Sequence, residues 1–264
     1  MASDDDRQSF LGPALDDVLR ETVIGVVGLS GGGSHVVQQL AHIGFQQYVL
    51  FDPDSIEATN LHRLVGATAA DVKSRTLKVD IAKRIITGVR PAAKVLAVPQ
   101  RWQGNPTALR RCDVVLGCVD SFEGRGELEV TARRFLIPYI DIGMDVVVPA
   151  SGPPRMFGQV FLSMPGAACM RCARLLSERS APRYGDAGGR PQVVWANGIL
   201  ASAAVACVVD LVTGWTASTT QTILLSYDGN ASTLELDARL EHLRDSTCKH
   251  FPLTEVGSPR GMSV

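Results

Sequence analysis

The sequence predicts an α/β fold: a doubly wound, mostly parallel sheet with helices on both faces. Short runs rich in β-branched residues alternate with segments of helical periodicity through the first half of the chain. These runs are apolar throughout, the pattern of strands covered from two sides. The first run closes on a glycine-rich turn, Gly28-Leu29-Ser30-Gly31-Gly32-Gly33, from which a helical pattern starts.

Taken in order, Thr22 to Val27 reads as the first strand, and Val36, Val37, Leu40, Ala41 and Ile43 recur at helical spacing after it. Tyr48 to Phe51 is a second buried strand, closed by the turn signal Asp52-Pro53-Asp54. Leu77 to Ile86 returns to helical spacing, with Pro91 just beyond. Lys94 to Val98 is a third strand, Asp113 to Gly117 a fourth, Gly124 to Phe135 a helix and Pro138 to Asp141 a fifth strand. After Val147 the character changes. Pro149 to Pro154 reads as a turn or linker, Met156 to Met164 as a strand, and Glu178 to Pro191 as a long mobile loop without periodicity. Thr222 to Tyr227 and Thr233 to Leu236, joined by Asp-Gly-Asn, make a small C-terminal β-hairpin region. The organisation expected is an N-terminal extension (1–21), a nucleotide-binding α/β core (22–148), a C-terminal part of the same domain (149–247) and a tail (248–264).

Composition narrows the function classes. The 264 residues suffice to bury a sizeable core. Lys and Arg number 26 against 27 Asp and Glu, so the basic surplus of a polyanion binder is missing and no nucleic acid is expected as partner. The start, MASDDDRQSF, is acidic and lacks the apolar stretch of a secretory signal. The apolar run Gly198 to Val212 falls short of the roughly twenty residues of a membrane span, so it reads as a buried core helix and no membrane partner is expected. Six scattered cysteines make no disulfide framework, which points to a reducing cytoplasm.

Ligands of open parallel sheets gather at the carboxyl ends of the strands. The glycine turn stands at such an end, where helix N–H groups and partial positive charge suit a phosphate. Asp52, at the end of the second strand, is placed for a ribose. Those two features serve NAD or ATP equally, and Ser30 occupies the middle glycine position of the dinucleotide fingerprint. The polar cluster that follows is more selective: Asn60 and Arg63 after Asp54, Lys78 opening a helix, and Asp120 just past the fourth strand. Hydride transfer has little need of these groups. Nucleotidyl transfer concentrates charge on phosphoryl oxygens, which Arg, Lys and a carboxylate-held Mg²⁺ neutralise.

The span "VVGLSGGGSHVVQQLAHIGFQQYVLFDPDSIEATNLHRL", with its glycine turn, acid-turn-acid and Asn-Leu-x-Arg, resembles the ThiF/MoeB/HesA family, bacterial relatives of ubiquitin-activating enzymes. "CDVVLGCVDSFEGR" is similar to the stretch that carries the family's Mg-associated aspartate. The likeness runs from Ile24 to about Asp145 and is patchier from Gly158 to Cys248. It implies a Rossmann-like fold and an adenylyltransferase that joins a carboxylate to ATP with release of pyrophosphate. The carboxylate implied is the C-terminus of a small ubiquitin-like or sulfur-carrier protein. By the same likeness Gly28, Gly31 and Gly33 bind the nucleotide and Asp52 its ribose. Asn60, Arg63 and Lys78 hold the triphosphate, and Asp120 binds Mg²⁺ and aligns the carboxylate. Arg63, Lys78 and Asp120 are thus the catalytic set, and Arg125 fixes the loop after Asp120 through an ion pair. The family's homodimer is the default assembly, with Arg7 the candidate for reaching a partner's ATP.

Three departures stand out. Ser30 replaces a usual glycine, Leu64 stands where Gln often follows the arginine, and the Arg63–Lys78 spacing is about two residues long, so Lys73 or Arg75 competes with Lys78. Cys169-Met170-Arg171-Cys172 has the spacing of half a structural zinc site. The family often carries a second CxxC near the C-terminus. Here Phe251 takes the last position, so Cys248 and His250 complete a Cys₃His set. Ser177 to Gly198 holds no cysteine, Cys207 sits in the apolar run, and Cys112 and Cys118 read as core. The expected enzyme therefore stops at the acyl-adenylate. The rival readings are a nicotinamide-dependent oxidoreductase, a non-catalytic scaffold on the same fold, and adenylation of a small peptide or a tRNA-linked carboxylate.

Overall fold

A computed structural model describes residues 6–176, 191–218, 222–244 and 248–251. The stretch 178–190, expected as a long loop, and the tail beyond 251 lie outside the described residues. Among the described residues the strands are β1 (Val23–Val27), β2 (Gln47–Phe51), β3 (Lys94–Val98), β4 (Val114–Gly117), β5 (Tyr139–Val147), β6 (Arg155–Ser163), β7 (Thr222–Asp228) and β8 (Thr233–Leu236). They form one sheet in the order β3-β2-β1-β4-β5-β6-β7-β8. β3 to β5 are mutually parallel; β6, β7 and β8 are added antiparallel. The C-terminal hairpin is therefore the far edge of the same sheet. β5 runs to Val147, well past Asp141, because it pairs with β6 along nine residues.

Helices cover the two faces. α2 (Gly31–Ile43), α4 (Lys78–Val89) and α7 (Val194–Thr213) share one core with β1, β2, Ile140 and Ile142 of β5 and Val160 and Leu162 of β6. α6 (Phe122–Arg134) and the turn carrying Cys169 and Cys172 lie over the opposite face, around Val115, Tyr139, Phe161 and Leu224. The short helices are α1 (Leu15–Glu21), α3 (Ala69–Ser74), α5 (Pro106–Leu109) and α8 (Leu240–Arg244). Residues 6–21 are more than an appendage, since Leu11, Leu15 and Leu19 are buried in the first core.

α7 begins four residues before the apolar run, at Val194, and its 20 residues are long and apolar enough to cross a membrane by length and composition. In this fold half of it is buried. It packs on α2, β5 and β6, which is what makes so apolar a helix a core element. Trp195 and Ile199 stay on its outer side.

Candidate active site

Strand order reverses between β1 and β4, and the chain ends of both strands open there into a crevice. β1 is followed by the glycine turn. Gly28 has φ +87°, and a Cβ on it would overlap the Cys118 carbonyl oxygen, so only glycine lets the turn lie against the end of β4. Asp52 braces the turn: Leu29 N–H donates to its Oδ2 (2.7 Å), and Asp54 N–H donates to its Oδ1 (2.9 Å). Burial holds its carboxyl above the usual range, partly offset by the Lys78 ammonium. Asp52 thus has a structural task in addition to any contact with a ribose.

Lys78 is the first residue of α4 and is buried, with Nζ 2.8 Å from Asp54 Oδ2 and 3.8 Å from Asp52 Oδ1. It lines a cavity of about 520 Å³ with Gly28, Ser30, Asp52, Asp54, Trp102 and Asp120. Lys73 and Arg75, the alternatives raised by the long spacing, are exposed and do not line it. Asn60 caps a short turn by accepting from Glu57 N–H (3.1 Å). Arg63 donates from Nη1 to the Thr59 carbonyl (2.7 Å), and its Nε is buried without a partner. Neither Asn60 nor Arg63 lines the cavity. Their loop does reach α2, where Val65 N–H donates to Ser34 Oγ (3.1 Å). Leu64 is buried with Ile56 and Ile81, so the departure from a polar residue there fills a small apolar cluster.

A nucleotide phosphate fits this place on its donors alone. The first N–H groups of α2 have no partner inside the helix. Ser30 Oγ, on the cavity wall, is a buried polar atom lacking a hydrogen bond, and Lys78 adds a cation. Asp120, an exposed carboxylate at the end of the crevice, offers the hard oxygen that Mg²⁺ takes. Gln192 Nε2 donates to Asp120 Oδ1 (3.3 Å).

A second cavity, of about 270 Å³, opens on the other side of Asp120. Ser30, Cys118, Val119 and Asp120 line both. Its floor is the antiparallel half of the sheet at Gly143, Phe157, Gln159 and Ser226. A Cβ on Gly143 would overlap Gln159 Nε2 and come within 2.9 Å of Arg125 Nη2, so glycine keeps the passage open. Arg125 forms its ion pair with the fully buried Asp141 of β5, where Tyr139 Oη also donates (3.0 Å). The pair ties α6 to the sheet. The loop after Asp120 is held separately, by the Ser121 cap on Gly124 N–H (3.1 Å).

Sequence reasoning missed most of this second cavity. Its walls come from β5, β6, β7, α7 and the turn after Cys172, and the one local sign was a glycine inside the β5 strand pattern. Cys118 is also more than core, since it faces both cavities. Burial, then the charges of Asp141 and Asp120, push its thiol far up, so it is no nucleophile. Cys112 is core as expected, with its thiol pushed up to about 12 by burial. Cys207 is buried in α7.

Cys169, Cys172, Cys248 and His250 converge, with all four ligand atoms within 4.8 Å of one another. Cys169 Sγ and Cys172 Sγ are 3.7 Å apart, as are Cys172 Sγ and Cys248 Sγ, and His250 Nδ1 lies 3.4 and 3.5 Å from Cys169 and Cys172. Tetrahedral zinc with bonds of about 2.3 Å to sulfur has edges of about 3.8 Å, so the cluster is consistent with a zinc site. α6 receives it: Met170 N–H donates to Glu129 (2.8 Å), and the buried Arg133 donates to the Ala167 and Ala168 carbonyls beneath the Phe251 ring. Phe251, out of place as a ligand, is this knuckle's buried aromatic cover.

The ThiF family profile matches residues 5–250. The chain belongs to the ThiF family. Among ThiF relatives, it is 29% identical over 135 residues to the sulfur carrier protein ThiS adenylyltransferase of Escherichia coli K12, covering 48% of this chain and 53% of that enzyme. It is 23% identical over 255 residues to ubiquitin-like modifier-activating enzyme 5 of Dictyostelium discoideum, covering 89% of this chain and 61% of that protein. The chain therefore spans only part of the length of these curated relatives. Its fold is that of E. coli MccB, solved with ATP: TM-score 0.66 at 20% identity, over 84% of this chain and 65% of MccB.

Proposed function

We propose that this ThiF-family chain adenylates the C-terminal carboxylate of a small ubiquitin-like or sulfur-carrier protein. The carrying observation is that a nucleotide-sized cavity and a second passage share one wall at Asp120. Two reactants entering from opposite sides meet there, which is what joining a carboxylate to an α-phosphate requires. The names of the relatives support the same reading.

In this reading ATP lies over the glycine turn with its ribose at Asp52. The amides of the first turn of α2, Lys78 and Arg63 bind the phosphates and stabilise charge as the carboxylate oxygen attacks the α-phosphorus and pyrophosphate leaves. Mg²⁺ held by Asp120 would supply further neutralisation of the phosphoryl oxygens. Asp120 also aligns the incoming carboxylate, which the passage over Gly143 admits in extended form. Cys118, the thiol that lines both cavities, is held protonated by its surroundings, so in this reading the acyl-adenylate is the product. The fold shared with MccB, which has been solved in complex with MccA, keeps a short peptide as the alternative acyl substrate. Arg7, exposed on the first turn of the chain, lines neither cavity, so a contact with ATP would be made across a homodimer.

ATP–pyrophosphate exchange with purified protein and a panel of carrier proteins and peptides tests the proposal. Exchange that depends on a free C-terminal carboxylate is expected. Lack of exchange with every carboxylate, together with NADH turnover, would overturn it in favour of the oxidoreductase.

A further inference from the structure

Among the described residues three guanidinium groups line the second cavity, and two carry their own counter-charge. Arg125 is paired with Asp141. Arg239 is paired with Asp237, with Nε 2.8 Å from Oδ1 and Nη2 2.7 Å from Oδ2, and its Nη1 donates to the Ala173 carbonyl (2.8 Å). Arg174 is different. It makes no ion pair among the described residues, it is exposed, and its backbone is left-handed at φ 56°. A non-glycine residue in that region costs about 1 kcal/mol or more and persists only where its surroundings impose it. Here they are the Cys169–Cys172 turn on one side and the Arg239 clasp on Ala173 on the other. The knuckle thus presents an unpaired cation to the cavity from a fixed base.

Resting on the adenylation reading, we propose that Arg174 is a specificity residue that selects acyl substrates with an acidic side chain a few residues before the C-terminal carboxylate. The position follows from the sheet. Asp120 follows β4, whereas the Arg239 clasp sits against β7, where Asp237 N–H donates to the Leu224 carbonyl. Three inter-strand steps of about 4.8 Å put roughly 14 Å between the two places. An extended chain covers that in about four residues. A tail with its terminal carboxylate at Asp120 therefore brings the side chain about four positions upstream to Arg174.

The test uses the full chain and two fluorescein-labelled decapeptides of Gly and Ser ending in glycine. One carries Glu and the other Gln four residues before the terminus. Fluorescence anisotropy at low salt should show the Glu peptide binding about three- to fivefold more tightly, the size expected of one solvent-screened ion pair. Arg174→Gln should abolish the preference and Arg174→Glu should invert it, with ATP affinity unchanged because Arg174 lines only the second cavity. Unaltered melting curves show that both variants fold. Equal binding of the two peptides, binding of neither, or a preference that survives Arg174→Gln overturns the assignment. Exchange driven equally by both peptides would remove Arg174 and leave adenylation standing. Exchange absent with them and with every other carboxylate would remove both.

Discussion

The two cavities that meet at Asp120 are built in opposite ways. The proposed nucleotide cavity belongs to the parallel half, where the glycine turn, Asp52 and Asp120 follow their strands by a few residues, Lys78 opens a helix, and many contacts are made by backbone. The second cavity belongs to the antiparallel half, where Gly143, Phe157, Arg174, Asn197 and Arg239 come from five separate segments held together by side-chain pairs. The difference suggests which half is fixed by general chemistry and which is free to vary. Phosphate binding needs a helix start and a tight turn, whatever the carboxylate. The passage needs shape and charge matched to one partner.

Breaking the junction itself should have the largest effect. Asp120→Ala is expected to lower pyrophosphate exchange at least a hundredfold, about the loss seen when a preorganised transition-state contact is removed. ATP binding, measured by calorimetry, should change little. Exchange near the wild-type rate would take Asp120 out of the mechanism.

The next contrast separates the halves. Gly28→Ala forces a left-handed residue against the Cys118 carbonyl and should cost about 2–3 kcal/mol of stability together with most ATP affinity. Gly143→Ala fills the passage beside Gln159 and Arg125 and should raise KM for the carboxylate about tenfold, leaving ATP affinity intact. Equal effects of Gly143→Ala on both substrates would show that the two cavities are one.

Metal removal sharpens the same division. Arg174 and Leu175, which follow Cys172, line the second cavity, and the nucleotide cavity has no residue from this turn. Chelation, or Cys248→Ser with reduced zinc by elemental analysis, should therefore weaken peptide binding several-fold and lower the melting temperature. Affinity for an ATP analogue should hold. Unchanged zinc in Cys248→Ser would exclude that ligand.

The contrast also explains what was legible in the sequence. Buried parallel strands are continuous apolar runs, and the glycine turn, Asp52 and Asp120 sit at their ends, so periodicity located them to within a few residues; Lys78 was legible instead as the start of a helical pattern. β6 to β8 were visible as strands, but apolar pattern says nothing about which sheet a strand joins, and the hairpin read only as a small region of the same domain. Phe251 was legible only as a ligand missing from a CxxC. Its packing on Arg133, 118 positions away in sequence, has no local signature. Arg125, Arg174 and Arg239 look alike as letters. Only the placement of Asp141 and Asp237 shows that two are paired and one is not.

The smallest effect expected concerns the pair that closes the second cavity's outer wall. Hydrogen bonds from Arg239, joined by Ser226, hold the Asp237 carboxyl well below the usual carboxylate range, against the opposing effect of burial. A depressed folded pKa means the pair stabilises the protein above the unfolded value of about 3.9 and that this contribution fades as pH falls below it. Arg239 is 42% exposed, so solvent screening limits the contribution to about 1 kcal/mol. For a chain of this size that is about 2–4 °C in Tm. Melting curves of wild type and Asp237→Asn should therefore differ by a few degrees at pH 7, and the gap should begin to narrow as pH falls below about 4. A gap that stays constant across that range would mean that Asp237 acts by packing alone, and the clasp on Ala173 would then owe nothing to charge.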